Sequence, residues 1–321
     1  MKYYVGIDGG GTKTKFLLAD ENLRIVAEHT GSSCYYLACG FDGLTKLIDE
    51  GIETVCKTAG INRSEIVSAF AGLSGYDDSK SVNAPITEAV AAGMNGIPFG
   101  VANDSENALA GALGGEPGIN IIAGTGSIAA GRNAAGEVAK CGGGLHVIGT
   151  DEGSAYWISI RLLHEFTKQD DGRHERTLLY DKIREVLNVE DKQDMISHVV
   201  DNWKLERDKM STLAPLCAEL YDAGEPTAVH IINQVVDEFA EMAIAIYNRL
   251  GFATSHSSTD GTQAKTIPVS GTGGVFKMGS RITAPLNKKL AEHNMKFVEP
   301  LYDPAVGSLI LARDYSKKDC K

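Results

Sequence analysis

The first segment able to do chemistry is a glycine-rich run that begins with an acid, Asp8-Gly9-Gly10-Gly11-Thr12-Lys13-Thr14. It directly follows a strand-like stretch, so its backbone amides can turn inward around a phosphate, and the missing side chains let that phosphate approach closely. A lone carboxylate would repel the same anion, and Asp8 therefore predicts Mg²⁺ or a metal-bound water between the two. A glycine hairpin with a capping Asp is the alternative. Because Thr12 separates the last glycine from Lys13, the run is not a Walker A loop.

A second glycine turn, Gly124-Thr125-Gly126-Ser127, also follows a strand-like run, and with Ile128-Ala129 it fits the dinucleotide fingerprint G-x-G-x-x-A. That fingerprint must open a helix and be followed about 20 residues later by an acid, whereas a strand-like run follows here and the acid is missing. The pattern therefore favours a second phosphate-binding hairpin over a dinucleotide site or an uninvolved turn.

A third glycine turn, Gly271-Thr272-Gly273-Gly274-Val275-Phe276, comes after the strand-like run at 267–270. Bare backbone at such a strand end can pack against an adenine or a ribose. We therefore predict nucleotide contacts from Gly271, Gly273, Gly274 and Phe276.

Two acids stand where a strand or a loop gives way to a helix. Asn103-Asp104 ends the strand predicted at Pro98–Ala102, and Asp104 could accept the proton of an attacking hydroxyl. It could equally cap the helix Ser105–Leu113. Asp151 is open to the same two interpretations, a ligand contact or a cap. Cys141-Gly142 could approach a ligand, or could be a glycine-rich strand end with a buried thiol.

These residues are separated by a regular alternation of elements. In the first third of the chain, the pattern predicts three strands, near Tyr3–Ile7, Lys15–Ala19 and Arg24–Glu28. They are followed by a helix Gly43–Ala59, a strand Val67–Leu73, a helix broken near Pro85, a strand Pro98–Ala102 and a helix Glu106–Leu113. The order is β-β-β-α-β-α-β-α. A second copy of its opening begins at Ile119, which predicts two related lobes that face each other across a cleft.

The rest of the chain completes the second lobe. Apolar stripes at helical spacing predict a mainly helical insertion over 152–252, and two polar stretches, 169–176 and 254–265, are expected to be solvated connectors. A strand 266–270, a helix 283–293 and a closing helix 304–315 follow. We expect residues 1–115 with 304–321 to form the N-terminal lobe and residues 116–303 the C-terminal lobe.

Composition narrows the class of partner. The chain has 43% apolar and 23% charged residues and a net charge of −11. This acidic charge argues against nucleic acid or an anionic membrane as a binding partner, because both bind surfaces with clustered Lys and Arg. The N-terminus lacks the features of a signal peptide, so we expect a cytoplasmic protein. Neither a zinc site nor a disulfide framework is expected, because C-x-x-C spacing is missing among the six cysteines, Cys34, Cys39, Cys56, Cys141, Cys217 and Cys320.

The three glycine turns and Asn103-Asp104, taken together with their order and spacing, resemble the N-acetylglucosamine kinase family of BadF/BadG/BcrA/BcrD type. The resemblance covers nearly the whole chain. The resemblance implies an α/β fold of the two-lobed, actin-like (ribonuclease H-like) type, ATP and Mg²⁺ as cofactors, a small amino sugar as substrate and a homodimer. It makes the first two turns phosphate motifs, the third an adenosine motif and Asp104 the catalytic base. It also implies that the sugar contacts are Cys34, Tyr36, Ser74, Gly75, Asn103, Asp104, Thr125, Cys141, Gly142, Asp151 and Ala155.

The chain departs from the family pattern at two places near the expected sugar. Where relatives show an Asn followed two residues later by Trp, this chain has Cys34 and Tyr36. The stretch 142–151 carries Leu145-His146 in place of an aromatic residue and is one residue longer. A roomier pocket would suit N-acetylmuramic acid, which clostridial-type relatives accept beside N-acetylglucosamine in cell-wall recycling. Whether the anomeric or the sixth hydroxyl is phosphorylated stays open.

Three other functions compete with this expectation. The resemblance also extends to ATPases that activate dehydratases or reductases through an iron–sulfur cluster, but those need suitably spaced cysteines. A sugar-sensing repressor would need a DNA-binding domain before the first strand and a more basic chain. Glucosamine kinase is the alternative within the same chemistry.

Overall fold

The computed structural model describes residues 2–77, 79–252 and 266–318. They form two compact units, one made of Met1–Pro117 and Glu299–Lys321 and the other of Gly118–Val298. In the described part of the chain, every helix is too short or too polar to cross a membrane. The polar stretch predicted as a connector at 254–265 lies outside the described residues.

The first unit is built on a five-stranded sheet with the order β3-β2-β1-β4-β5. β1 pairs antiparallel with β2 and parallel with β4, and β4 pairs parallel with β5. The strands are β1 (Tyr3–Gly9), β2 (Thr14–Asp20), β3 (Ile25–Gly31), β4 (Ile66–Leu73) and β5 (Phe99–Ala102). The helices are α1 (Tyr36–Ala59), α2 (Asn83–Met94), α3 (Asp104–Leu113) and, from the end of the chain, α11 (Pro304–Lys318).

Both faces of this sheet are covered because its strands are apolar on both sides. Phe16 and Leu18 of β2 pack in the core that includes the buried faces of α1 and α2. Leu17 and Ala19 point the other way, into the core that includes α3 and α11. This alternation follows from the two-residue period of a strand and explains why helices are needed on both sides.

The second unit repeats the topology of the first. Its five-stranded sheet has the order β10-β9-β6-β7-β8, in which β6, β7, β8, β9 and β10 correspond to β1 through β5. The strands are β6 (Gly118–Ala123), β7 (Ser127–Arg132), β8 (Val138–Gly142), β9 (Ile267–Thr272) and β10 (Met295–Val298). The helices are α4 (Ala155–Asp170), α5 (Leu178–Leu187), α6 (Lys192–Ser197), α7 (Arg207–Ser211), α8 (Ala214–Asp222), α9 (Pro226–Arg249) and α10 (Ser280–Ala291). The predicted α/β fold, its duplication and its helical insertion are confirmed.

Some predicted element boundaries are wrong, for local reasons. The helix expected to break near Pro85 is continuous, because Pro85 lies in the first turn of α2, where a missing N–H costs no intrahelical bond. α1 begins at Tyr36 rather than Gly43 and kinks at Gly40, which has φ 69°. In the predicted connector 169–176, Gln169 is buried and Asp170 accepts hydrogen bonds from Tyr180 Oη (2.7 Å) and the Lys192 amide (3.1 Å).

α11 packs so closely against α3 that the backbones of the two segments are in direct contact, with no side chain between them. A methyl group at Gly307 would lie 2.0 Å from the carbonyl oxygen of Asn107 and 2.5 Å from the amide nitrogen of Gly111. A methyl group at Gly111 would lie 2.4 Å from the carbonyl oxygen of Asp303. The end of the chain is thereby fixed against the helix that begins at Asp104.

We expect Gly307→Ala to destabilise the protein by about 1–3 kcal/mol, because backbone atoms cannot yield to the added methyl group as a side chain can. Urea unfolding measures the loss. Gly11→Ala is the matched control and should leave the free energy of unfolding nearly unchanged, since no atom lies within 4 Å of a methyl group there. A Gly307→Ala variant as stable as the parent protein would contradict the close packing.

Candidate active site

The first glycine turn joins β1 to β2. Gly10 N–H donates to the Lys13 carbonyl (2.9 Å), and the turn exposes Gly11, Thr12 and Lys13. Thr14 is fully buried and its hydroxyl donates to the Ser32 carbonyl (2.8 Å), so its proton is used within the fold. Of the predicted phosphate contacts in this turn, the three residues at its tip are therefore exposed, whereas Thr14 is buried and has a structural role.

Asp8 precedes this turn and is held by Asn107 of α3. Asn107 is fully buried, and its Nδ2 donates to Asp8 Oδ1 (2.9 Å) and to the carbonyls of Ile7 (3.1 Å) and Gly72 (3.4 Å). Burial raises the pKa of Asp8 above its ordinary value, and the Asn107 hydrogen bond opposes that shift. The fold thus keeps a carboxylate at a place where its charge is costly.

Asn103 and Asp104 directly follow β5. The sequence left two roles open for Asp104, helix cap and proton acceptor, and the structure gives the first of them to Asn103. Asn103 is the helix cap: its side-chain oxygen accepts from the Ser105 amide (3.1 Å), while its Nδ2 donates to the Tyr76 carbonyl (2.8 Å). The interpretation of Asp104 as the cap is therefore wrong. Asp104 is the first residue of α3 and is partly buried.

Cys34 lies directly beneath the first turn. A methyl group at Gly9 would lie 2.4 Å from its Sγ, and the thiol is 1% exposed. Burial raises the pKa of Cys34 to about 12, and the nearby charge of Asp104 adds to the shift. The thiol is therefore protonated at neutral pH, and Asp104 is close enough to influence it.

The strand register brings the remaining predicted contacts of this unit to the same edge. Gly9 aligns with Leu73, and Gly72 with Ala102, so the carboxyl ends of β1, β4 and β5 meet. Ser74 N–H donates to the Gly9 carbonyl (2.7 Å). A methyl group at Gly75, which has φ 92°, would lie 3.0 Å from the rings of both Tyr35 and Tyr36.

In the second unit, the second and third turns lie together. Gly124 N–H donates to the Gly126 carbonyl (2.9 Å), and the first amide of α4, that of Ala155, donates to the Gly124 carbonyl (2.8 Å). Gly273 has φ 102°, and a methyl group there would lie 2.4 Å from the Ala123 carbonyl. Only a glycine fits this approach of the third turn to the end of β6.

A cavity of about 550 Å³ opens beside these two turns. Its lining is mostly small or apolar, with hydroxyls from Ser211 and Thr212 and the cations Lys277 and Arg281. Arg281 is fastened to Asp222, the last residue of α8, by a two-point ion pair, which ties α10 to α8. The complete lining is Gly124, Thr125, Ala155, Ser211, Thr212, Ala214, Pro215, Ala218, Gly274, Val275, Lys277, Met278 and Arg281.

Phe276 does not belong to this lining. Its ring stacks with those of Phe239 (centroids 5.2 Å apart) and Phe297 (6.0 Å). A methyl group at Gly271 would lie 2.3 Å from the same ring. Phe276 and Gly271 therefore support the third turn from below, and Gly274 is the predicted nucleotide contact of this turn that reaches the cavity.

Asp151 is buried and paired rather than a helix cap. Ser154 caps α4, accepting from the Trp157 amide (3.1 Å). The Asp151 carboxylate is 5% exposed, accepts from the Ser127 amide (3.3 Å) and forms an ion pair with Arg207. Cys141 packs at the edge of the core, and a methyl group at Gly142, which has φ 77°, would lie 2.9 Å from Met242 Sδ.

Several residues of these sites were not predicted from the sequence. Asn107 and Arg207 hold the two predicted carboxylates, but each does so across a long sequence separation that no local pattern reveals. A signal did exist for Asn107, since it is an amide within a helix of small apolar residues. The cavity wall at 211–218 carries no motif at all.

Comparison with known proteins decides the family. The family model for BadF/BadG/BcrA/BcrD ATPases matches residues 5–312. This chain belongs to that family. It is 28% identical to an N-acetyl-D-glucosamine kinase of Dictyostelium discoideum, over 98% of each chain. It is 27% identical to an N-acetylmuramic acid/N-acetylglucosamine kinase of Clostridium acetobutylicum, over 98% of this chain and 99% of that one.

The fold is shared as well. A solved structure of a candidate N-acetylglucosamine kinase from Chromobacterium violaceum superposes on this chain with a TM-score of 0.67. The two are 25% identical, over 97% of this chain and 99% of that one. The resemblance inferred from the glycine turns is thus confirmed, and the family implies the use of ATP.

We expect Asp8→Asn to be at least as stable as the parent protein at pH 7. Because burial raises the pKa of Asp8 above its ordinary 3.8, the folded state binds this proton more tightly than the unfolded chain, and ionised Asp8 therefore costs folding free energy. The cost is complete above the raised pKa, shrinks as the pH falls through that pKa, and is gone below 3.8. The amide introduced by the substitution still offers an oxygen to Asn107.

Urea unfolding in EDTA between pH 3 and pH 8 measures this difference, on the reasoning that stability is linked to proton binding. Glu21→Gln, on the exposed turn after β2, is the control for removal of one acid and should leave the free energy of unfolding at pH 7 nearly unchanged. A clear loss of stability in Asp8→Asn at pH 7 would show that the ionised carboxylate stabilises the fold, and would contradict this prediction.

Proposed function

We propose that this chain is an ATP-dependent kinase that phosphorylates an N-acetylated amino sugar, N-acetylglucosamine, N-acetylmuramic acid or both. One observation carries the proposal: in the first unit, an exposed glycine turn, Asp8 and Asp104 lie at the adjoining carboxyl ends of β1 and β5 and their shared neighbour β4. Open α/β sheets place their ligands at such edges. Kinase relatives that match over nearly the full length support the same reaction class.

Asp104 is the catalytic base of this proposal. It would accept the proton of the sugar hydroxyl as the phosphoryl group is transferred, while the exposed amides at Gly11, Thr12 and Lys13 hold phosphate oxygens. Cys34 is protonated and buried, so it shapes the floor of the site and does not act as a nucleophile. Tyr36, Ser74 and Gly75 border the same edge, and we assign them to the sugar.

We assign the nucleoside to the second unit, together with the remaining predicted sugar contacts. The cavity beside the second and third turns suits an adenosine, because it is lined by small and apolar groups and has a few polar atoms at its rim. Its lining includes Thr125 and Gly274, both predicted nucleotide contacts. Asp151 would accept hydrogen bonds from the sugar, and Ala155, Cys141 and Gly142 would form the wall around it.

Asp8 fits a role toward Mg²⁺ through a bound water. The described residues contain no group of three or more His, Cys, Asp or Glu side chains placed to hold a metal ion by themselves. Mg²⁺ in kinases needs few protein carboxylates, since phosphates and waters supply its other ligands. When bound, the ion neutralises charge on the phosphates. Asp8 would keep its charge buried to orient that hydrated ion.

We place the enzyme in the cytoplasm, as a homodimer that acts on sugars released in cell-wall recycling. These points rest on the resemblance of the sequence to its family. Cys34 and Tyr36, where relatives have Asn and Trp, and the altered stretch 142–151 support a pocket with room for the lactyl ether of N-acetylmuramic acid.

An ATPase that activates a dehydratase is less well supported. An iron–sulfur cluster shared between subunits needs suitably spaced cysteines that reach the surface. Among the described cysteines, Cys34, Cys56 and Cys217 are buried, and the partly exposed Cys39 and Cys141 lie far apart in the sequence. Glucosamine kinase differs from the proposed activity only in the N-acetyl group, and the sugar screen below separates the two.

We expect Asp104→Asn to lower the rate of sugar phosphorylation by about 10²–10⁴-fold, because the amide cannot accept the proton, and to leave ATP binding nearly unchanged. A coupled assay of ADP release with N-acetylglucosamine, N-acetylmuramic acid, glucosamine and glucose measures the rate, and NMR of the product locates the phosphate. Glu106→Gln, in the same helical turn, is the matched control and should stay active.

Two results would refute the proposal. ADP release that no amino sugar accelerates would remove the kinase assignment altogether. An Asp104→Asn enzyme that retains most of its turnover would remove Asp104 as the base.

A further inference from the structure

The Asp151 carboxylate is held from two sides within the second unit. One oxygen accepts from the Ser127 amide (3.3 Å) and the other is paired with the Arg207 guanidinium. A carboxylate offers about four lone-pair positions, so two remain for further donors. Because Asp151 is only 5% exposed, the direction of those positions depends on how the two partners fix the group.

Arg207 is itself fixed on several sides. Its guanidinium lies 5.5 Å from the ring centroid of Tyr156, and that ring makes an edge contact with His146. A methyl group at Gly126 would lie 3.0 Å from the Asp151 carboxylate and 3.3 Å from the guanidinium, so the pair rests directly on the second glycine turn. The planar fork of Arg is suited to holding a carboxylate in one orientation.

We propose that Arg207 is a positioning residue for the amino-sugar site: it holds the Asp151 carboxylate in one orientation, so that its remaining lone pairs accept hydrogen bonds from the sugar. This inference rests on the proposed function. Without Arg207, the buried carboxylate would lose its compensating charge and one of its two restraints. The sugar would then meet a carboxylate that is free to turn away.

The competing role for Arg207 is to hold the cavity wall. Arg207 begins α7, which leads directly to Ser211 and Thr212 in the lining of the cavity. A residue that only supported this wall would affect the nucleotide at least as much as the sugar. The Michaelis constants for the two substrates therefore distinguish positioning of Asp151 from support of the wall.

The test compares Arg207→Met, which keeps the apolar stem, with Arg207→Lys, which keeps the charge. We expect Arg207→Met to lower kcat/KM for the sugar by about tenfold to a hundredfold, mainly through KM, as for loss of a charge-assisted bond. KM for ATP should change by less than about twofold, since no nucleotide contact is removed. Arg207→Lys should recover part of the loss. Lys209→Met, in the same short helix and paired with exposed Glu206, is the control.

A double-mutant cycle with Asp151→Asn completes the test. If Arg207 acts through Asp151, the double variant should lose no more sugar kcat/KM than Asp151→Asn alone. Additive losses would overturn the inference, as would an unchanged sugar KM in Arg207→Met or equal rises in both Michaelis constants. If Arg207→Met does not fold, a wild-type sugar KM in Arg207→Lys would overturn it equally.

Failure of the proposed function would look different. In that case the parent protein and Lys209→Met would both fail to phosphorylate any amino sugar. Calorimetric titration of N-acetylglucosamine into the parent protein and Arg207→Met then tests the inference without turnover. It predicts weaker binding to the variant, and equal binding would overturn it.

Discussion

The first unit depends on one costly interaction, the partial burial of the Asp8 carboxylate at the end of the central strand β1. Asn107 compensates that burial with a hydrogen bond from across the sheet edge. The reach of Asn107 leaves no room for a side chain at Gly72, where a methyl group would lie 2.3 Å from the amide. The backbone of Asn107 in turn requires Gly307 in α11. The residue that holds Asp8 thus restricts which residues its own surroundings can carry.

The duplicated topology serves two different purposes. Each unit ends its first strand in a glycine turn, but the turn after Gly9 is surrounded by Asp8, Asp104 and a buried thiol. The turn at Gly124 instead borders a cavity whose far wall comes from the helical insertion. One sheet edge therefore concentrates acids and the other presents a surface for an apolar ligand. This division matches what phosphoryl transfer requires, namely positioning and charge control.

Much of this was predictable from the sequence, because strand ends and glycine turns are local signals. The three turns, the order of strands and helices along the first third of the chain and the insertion all follow from short patterns. Asn107 and Arg207 were not predictable, since their partners lie far away in the sequence and are chosen by tertiary packing. Local patterns were ambiguous elsewhere: Asn103 and Ser154 take the caps that Asp104 and Asp151 could have formed, and Phe276 faces the core.

The most direct measurement is the calorimetric affinity of ADP for the parent protein and for Asp8→Asn, each with Mg²⁺ and with EDTA. If the buried charge is kept for a hydrated ion on the nucleotide, the parent protein binds ADP more tightly with Mg²⁺, and Asp8→Asn binds it equally under both conditions. A variant that keeps the full Mg²⁺ dependence of the parent protein would contradict that role of Asp8.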